Sequence, residues 1–98
     1  MSGFLQSNKA YRFRSDIAYR EVDGEYYFLS ADSMFHSVSD PVGAFILGLL
    51  EKDKNVTIGG LTKAIATSFE VDKESAKQDL SAFVEELVRK RILEVNPT

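Results

Sequence analysis

The chain has no cysteine, one histidine in 98 residues and no apolar run approaching the length of a membrane span. Without cysteine there is no disulfide framework and no thiolate zinc site, and a single His36 cannot supply a clustered metal site, so no cofactor is expected. The longest apolar-rich stretch, Val42 to Leu50, falls far short of the ~20 residues that span a bilayer. Positive charge is also scarce: 12 Lys and Arg against 15 Asp and Glu leave a net charge of -3, which gives no general attraction to phosphate backbones. A phosphate-cradling Gly loop and a nucleophile elbow are absent, and Asp79 shares its helix with Glu85 and Glu86, as a solvated acid does. These gaps point to a non-catalytic protein that engages neither membrane nor nucleic acid. The opening Met1 to Leu5 lacks a basic region followed by an apolar core, so no ordinary signal peptide and a cytoplasmic setting are expected.

What is present is an ordered series of patterns. Residues 1–15 show no sustained periodicity but carry Phe4, Leu5, Tyr11 and Phe13 among Lys9, Arg12 and Arg14, and read either as a partly ordered arm whose aromatics lean on the sheet or as a basic, aromatic arm that touches a partner. Residues 16–98 read as one domain. From Ile17 side chains alternate: Ile17, Tyr19 and Glu21 share one face of a strand, Ala18, Arg20 and Val22 the other. Asp23-Gly24 suits the positive φ angles of a type I′ hairpin turn, and Glu25 to Ser30 returns antiparallel. Either Tyr26 and Phe28 or Tyr27 and Leu29 face the core. Met34 to Val38 follows as a short third strand whose far edge lacks a partner.

Three amphipathic helices come next. Asp40-Pro41 opens the first: Asp caps a free N–H, and Pro at the first helical position loses no needed donor. Val42, Phe45, Ile46, Leu49 and Leu50 recur at helical spacing. Thr57 caps a second helix with inner face Ile58, Leu61, Ile65 and Phe69, where Gly59-Gly60 predicts either fraying or a close approach. Asp72 caps a third, with a broad stripe of Ala76, Leu80, Phe83, Val84, Leu87 and Val88. Ile92, Leu93 and Val95 predict an extended tail that seals the core. Strands first and helices last define an α+β domain, with helices on one face of a small antiparallel sheet.

The run Leu49-Leu50, Val56-Thr57-Ile58, Leu61 to Ile65, Phe69 to Asp72, Asp79 to Leu87 and Arg91-Ile92-Leu93 resembles the PqqD family. The resemblance spans about residues 17–95 and implies a winged helix-turn-helix-like fold, a three-stranded antiparallel sheet followed by a three-helix bundle. It further implies a peptide-binding chaperone that captures the leader of a ribosomally made precursor and presents it to a modifying enzyme, radical-SAM or other, in pyrroloquinoline quinone or related peptide biosynthesis. In the family the leader adds as a strand to the third strand and lies against the third helix. Carried over, the pairing edge is Met34, Phe35, His36, Ser37 and Val38, and the helix wall is Lys77, Leu80, Ser81, Val84 and Val88, with Lys73 and Lys77 facing acidic leader residues. The chain departs from the family at Val38-Ser39-Asp40, at Gly59-Gly60 and at Arg91, where a turn Gly is common.

Two other readings stand beside this one. A winged-helix DNA-binding regulator needs basic side chains on its recognition helix, yet Lys63 is the only cation between Ile58 and Phe69. An interaction adaptor would use the same strand edge for another partner. That edge can also join its twin, so monomer or weak homodimer is expected.

Overall fold

The computed structural model describes residues 6–97, so the Phe4 and Leu5 of the expected arm lie outside the described residues. Three antiparallel strands, β1 (Tyr11–Phe13) apart, come first: β2 (Ala18–Val22), β3 (Glu25–Leu29) and β4 (Phe35–Val38) form one sheet in that spatial order. Helices α1 (Pro41–Lys52), α2 (Ile58–Phe69) and α3 (Lys73–Arg89) follow, and β5 (Leu93–Val95) closes the chain by pairing with β1. The α+β architecture expected from the strand-then-helix order is the one observed.

Local chemistry sets each boundary. Asp23 and Gly24 both take positive φ, 52° and 82°, as a type I′ turn requires, and Gly24 N–H donates to Glu21 Oε2 at 2.7 Å. The side chains of Asp40, Thr57 and Asp72 accept from the N–H groups of Gly43, Gly60 and Ser75 at 2.8, 3.1 and 2.7 Å, which caps all three helices as their sequence positions predict. Glu70 ends α2 in the left-handed conformation, φ 55°. Arg91 adopts the same region, φ 62°, in the turn before Ile92, so this chain sets an arginine in a backbone conformation that glycine takes most readily.

The sheet's two faces separate cleanly. Tyr26 and Phe28 are buried against the helices, while Tyr27 and Leu29 point away, which resolves the alternative the sequence left open. Leu47, Leu50, Ile58, Leu61, Ile65, Leu80, Val84, Ile92 and Leu93 complete the core beneath them. Glu51 of α1 ties helix to sheet: Tyr19 and Tyr26 hydroxyls donate to its two carboxylate oxygens at 2.8 and 2.9 Å. Burial and that carboxylate push the Tyr26 hydroxyl well above the usual tyrosine range.

Residues 10–13, without periodicity in sequence, hold a defined place. Tyr11, Arg12 and Phe13 oppose Val95, Glu94 and Leu93, and Arg12 Nε meets Glu94 Oε2 at 2.9 Å. Phe13 packs edge-on against Tyr19 and Phe28, with centroids 4.7 and 6.0 Å away. Gly59 serves a close approach: its N–H donates to Ser7 O at 2.8 Å, and a β-carbon there would stand 3.3 Å from that oxygen. Among the described residues no helix is long and apolar enough to cross a membrane, and no group of three or more His, Cys, Asp or Glu is placed to hold a metal ion.

Candidate functional site

The site starts from one asymmetry. β3 has a neighbour on each side, whereas β4 pairs with β3 alone, and no described strand covers its other edge. The hydrogen-bond parity says which backbone groups are exposed there. Ser30 N–H donates to Met34 O at 3.0 Å, so Ser30 and Met34 form a hydrogen-bonded pair. In an antiparallel ladder such pairs recur every second residue. With the register Phe28 to His36 and Tyr26 to Val38, the N–H and C=O of Met34, His36 and Val38 therefore turn toward β3, and those of Phe35 and Ser37 turn outward. The free edge is thus a two-residue repeat of donors and acceptors.

α3 runs alongside this edge and leaves a groove. Ser37 to Asp40 form one bank, and Phe83, Glu86, Leu87 and Lys90 form the other, around a volume of about 300 Å³. Lys90 Nζ and Glu86 Oε2 are 2.9 Å apart, and the hydrogen bond from that ammonium holds the Glu86 carboxyl below its usual range. On the other side of Asp40 and Phe83 lies a second hollow of about 310 Å³, lined also by Val42, Gly43 and Ile46 and bordered by Asp79. On the sheet's outer face, Phe35 is 66% exposed and stacks on Tyr27 with centroids 6.2 Å apart, opposite exposed Leu29. His36 and Val38 lie on the inner face, half-buried.

The structure brings together one half of the expected site and not the other. Met34 to Val38 lie on the strand edge or immediately before it. The expected helix wall is corrected: Leu80, Ser81 and Val84 are core residues that line neither the β4 groove nor the hollow beside it. Lys77 lies on the far flank, where its Nζ donates to Ser7 Oγ at 2.9 Å in a hollow shared with Lys63, Lys73 and Glu74. Lys73 and Lys77 therefore do not face the β4 groove. Val88 is exposed but outside the groove lining. The cause is helical geometry. At 100° per residue, the expected wall and the observed bank of Asp79, Phe83, Glu86, Leu87 and Lys90 are centred about 130° apart on α3. The broad apolar stripe packs on α2 and the core, and its flank at Phe83 and Leu87 looks toward β4. The signal that would have found the bank is Phe83 and Leu87 at i and i+4 followed by the polar pair Glu86 and Lys90 on the same side.

A small open sheet whose two outer strands, β2 and β4, each pair with β3 alone, flanked by three helices that leave a groove beside the β4 edge, defines an α+β domain of strand-edge type. The chain belongs to the PqqD family: the family described as coenzyme PQQ synthesis protein D (PqqD) matches residues 23–93. No curated protein sequence matches it. Among solved structures it is similar to TbiB1 in complex with the TbiA(beta) leader peptide, with 25% identity over 85% of this chain and 94% of that one and a TM-score of 0.77. It is also similar to lasso peptide synthetase B1 complexed with the leader peptide, at 20% identity, 87% and 98% coverage and TM-score 0.72. A third likeness is the solution structure of the PqqD truncation of Methylobacterium extorquens PqqCD, described as a functional and stand-alone recognition element for ribosomally synthesised and post-translationally modified peptides. That match has 16% identity, 96% and 99% coverage and TM-score 0.71. The last two, at lower identity, show the shared fold.

Proposed function

We propose that this protein is a non-catalytic peptide chaperone: it captures the leader of a ribosomally made precursor as an added strand on β4 and presents it to a maturation enzyme of the radical-SAM or another class in the cytoplasm. The observation that carries this reading is the outward N–H and C=O of Phe35 and Ser37 along an edge backed by the α3 groove. Backbone pairing gives affinity that tolerates sequence change, while side chains alternate between the groove and the outer face and so set register. Membership of the PqqD family, and similarity to two proteins captured with leader peptides, support the same reading.

The peptide-contacting residues on this reading are Phe35 and Ser37 through their backbone, His36 and Val38 on the inner side, Met34 at the strand entrance, and Phe83 and Leu87 across the groove. Amide hydrogen exchange read by NMR tests it, with the leader segment of a precursor encoded beside this gene. The expected result is new protection at Phe35 and Ser37, while His36 and Val38, already bonded to β3, gain little. Uniform protection of all four amides, or no change at β4 together with shifts along α2 on adding duplex DNA, would overturn it. A second copy pairing on the same edge would compete with the leader, so saturating peptide is expected to dissociate any homodimer.

A further inference from the structure

The hollow beyond the groove has a chemistry of its own. Val42, Ile46 and Phe83 give it apolar walls, Gly43 lets Asp40, Val38 and Phe83 close in at one end, and Asp40 and Asp79 stand on its rim. A volume of about 310 Å³ is at the lower end of the roughly 300–1,000 Å³ of small-ligand clefts, so it suits one or two side chains rather than a whole ligand. It shares Asp40 and Phe83 with the β4 groove, so the two adjoin across those side chains. The charges along the pair differ from end to end. Toward the C-terminus of α3, Glu86 is neutralised by Lys90 at 2.9 Å. At the hollow, no lysine or arginine lies among the lining residues, and Asp79 has no hydrogen bond or ion pair among the described residues. The Asp40 carboxylate caps α1 through Oδ2 and turns its other oxygen toward Gly43, Val38 and Phe83.

We propose that this hollow is the specificity pocket of the groove, and that it selects a peptide with an apolar side chain next to a lysine or arginine. The inference rests on the strand-addition reading and deepens it. A peptide strand lying on β4 that continues past Val38 reaches the α1 N-terminus, where an apolar side chain enters between Ile46 and Phe83. Its basic neighbour then meets Asp79 and Asp40. A carboxylate at that peptide position would instead face two like charges, so the pocket discriminates by repulsion as well as by attraction.

The test uses three acetylated, amidated decapeptides of threonine and valine that carry one central Leu-X pair, with X lysine, glutamine or glutamate. Each is titrated into the full-length protein, with fluorescence anisotropy for affinity and amide shifts for location. The expected order is lysine, then glutamine, then glutamate, with about fivefold between neighbours, the size of a favourable exposed charge pair. The lysine preference should shrink in Asp79→Asn and at high salt, while Asp40→Asn, which keeps a capping side chain, gives a second variant that stays folded. Peptides that shift Phe35 and Ser37 but bind with equal affinity would overturn the pocket and leave the strand-addition reading standing. A lysine preference that survives in both variants would overturn it too. Failure of all three peptides to move the Phe35 and Ser37 amides at millimolar concentration would refute both.

Discussion

Two glycines in one helix should respond to the same substitution with opposite sign. Gly48 is in the middle of α1, and a β-carbon there meets only the Tyr26 hydroxyl at 3.8 Å, an ordinary contact. Gly48→Ala therefore gains helix propensity without a clash, about 0.5–1 kcal/mol. Gly43 is in the first turn of α1, where a β-carbon would stand 2.7 Å from Asp40 Oδ1, 2.8 Å from Val38 Cγ1 and 3.1 Å from Phe83 Cε1. The first two distances are too short for any real contact, so β4, α3 or the capping carboxylate must move. Overpacking of this kind costs about 1–3 kcal/mol, and disturbing the Asp40 cap, which holds Gly43 N–H at 2.8 Å, adds to it. After the propensity gain is credited, Gly43→Ala should lose about 1–3 kcal/mol. In a domain of this size about 1 kcal/mol moves Tm by about 4–8 °C. Thermal and urea unfolding should thus show Gly48→Ala a few degrees above the parent and Gly43→Ala clearly below it. The variant also presses on Val38 and Phe83, which flank the groove, so peptide affinity should fall with it. A Gly43→Ala protein as stable as Gly48→Ala would refute the claim that β4, α1 and α3 meet at this glycine.

Stability should also fall at alkaline pH. Burial and the Glu51 carboxylate raise the Tyr26 hydroxyl above its unfolded value of about 10, and burial also raises Tyr11 and Tyr19, so the unfolded chain loses these protons first. The contribution is complete below about pH 10 and is lost as pH rises toward the folded values; urea midpoints from pH 8 to 11.5 should decline above 10, and Tyr26→Phe should flatten that decline. On the acid side, the Ser75 backbone hydrogen bond lowers the Asp72 carboxyl, so its contribution is present above about pH 4 and is lost as pH falls below that; Asp72→Asn should keep the cap and weaken this acid dependence. Val84→Ala should cost about 2 kcal/mol of stability yet leave peptide affinity of the folded protein unchanged, because Val84 is wholly buried, whereas half-buried Phe83→Ala should weaken peptide binding several-fold at a smaller cost in stability. Equal losses of affinity in the two would contradict the placement of the groove.

Most of the fold was legible because each signal was local. The Asp23-Gly24 turn, the caps Asp40, Thr57 and Asp72, and the period-3.6 apolar positions each depend on residues within one or two turns of each other. Strand β1 was not legible, because Tyr11–Phe13 is defined by a partner eighty or more residues away in sequence and no alternation marks three residues as a strand. The choice between the two faces of β3 was likewise undecided by Tyr26 to Leu29, four bulky side chains in a row, and was settled by where the helices lie.

The site divides along the same line. The free edge of β4 follows from strand order, and strand order follows from two short turns, so sequence places Phe35 and Ser37 correctly at an edge. The helix wall depends instead on the rotation of α3, and rotation is a tertiary quantity. An apolar stripe as broad as that from Ala76 to Val88 says that the helix is buried but not which of its margins meets which neighbour. α2 takes the margin bearing Lys77, which shares a hollow with Gly59, Thr62 and Lys63, and this leaves Phe83, Leu87 and the Glu86–Lys90 pair to face β4. The same rotation sets Asp79 on the rim of the hollow lined by Gly43 and carries Lys77 away from it, which reverses the charge a bound peptide meets. A reading built on Lys77 favours an acidic leader, while the groove as it folds favours a basic residue at the α1 end. The sign of the peptide's charge preference therefore reports the rotation of α3 directly, and a preference for glutamate over lysine at that position would mean that the helix faces the strand with its other margin.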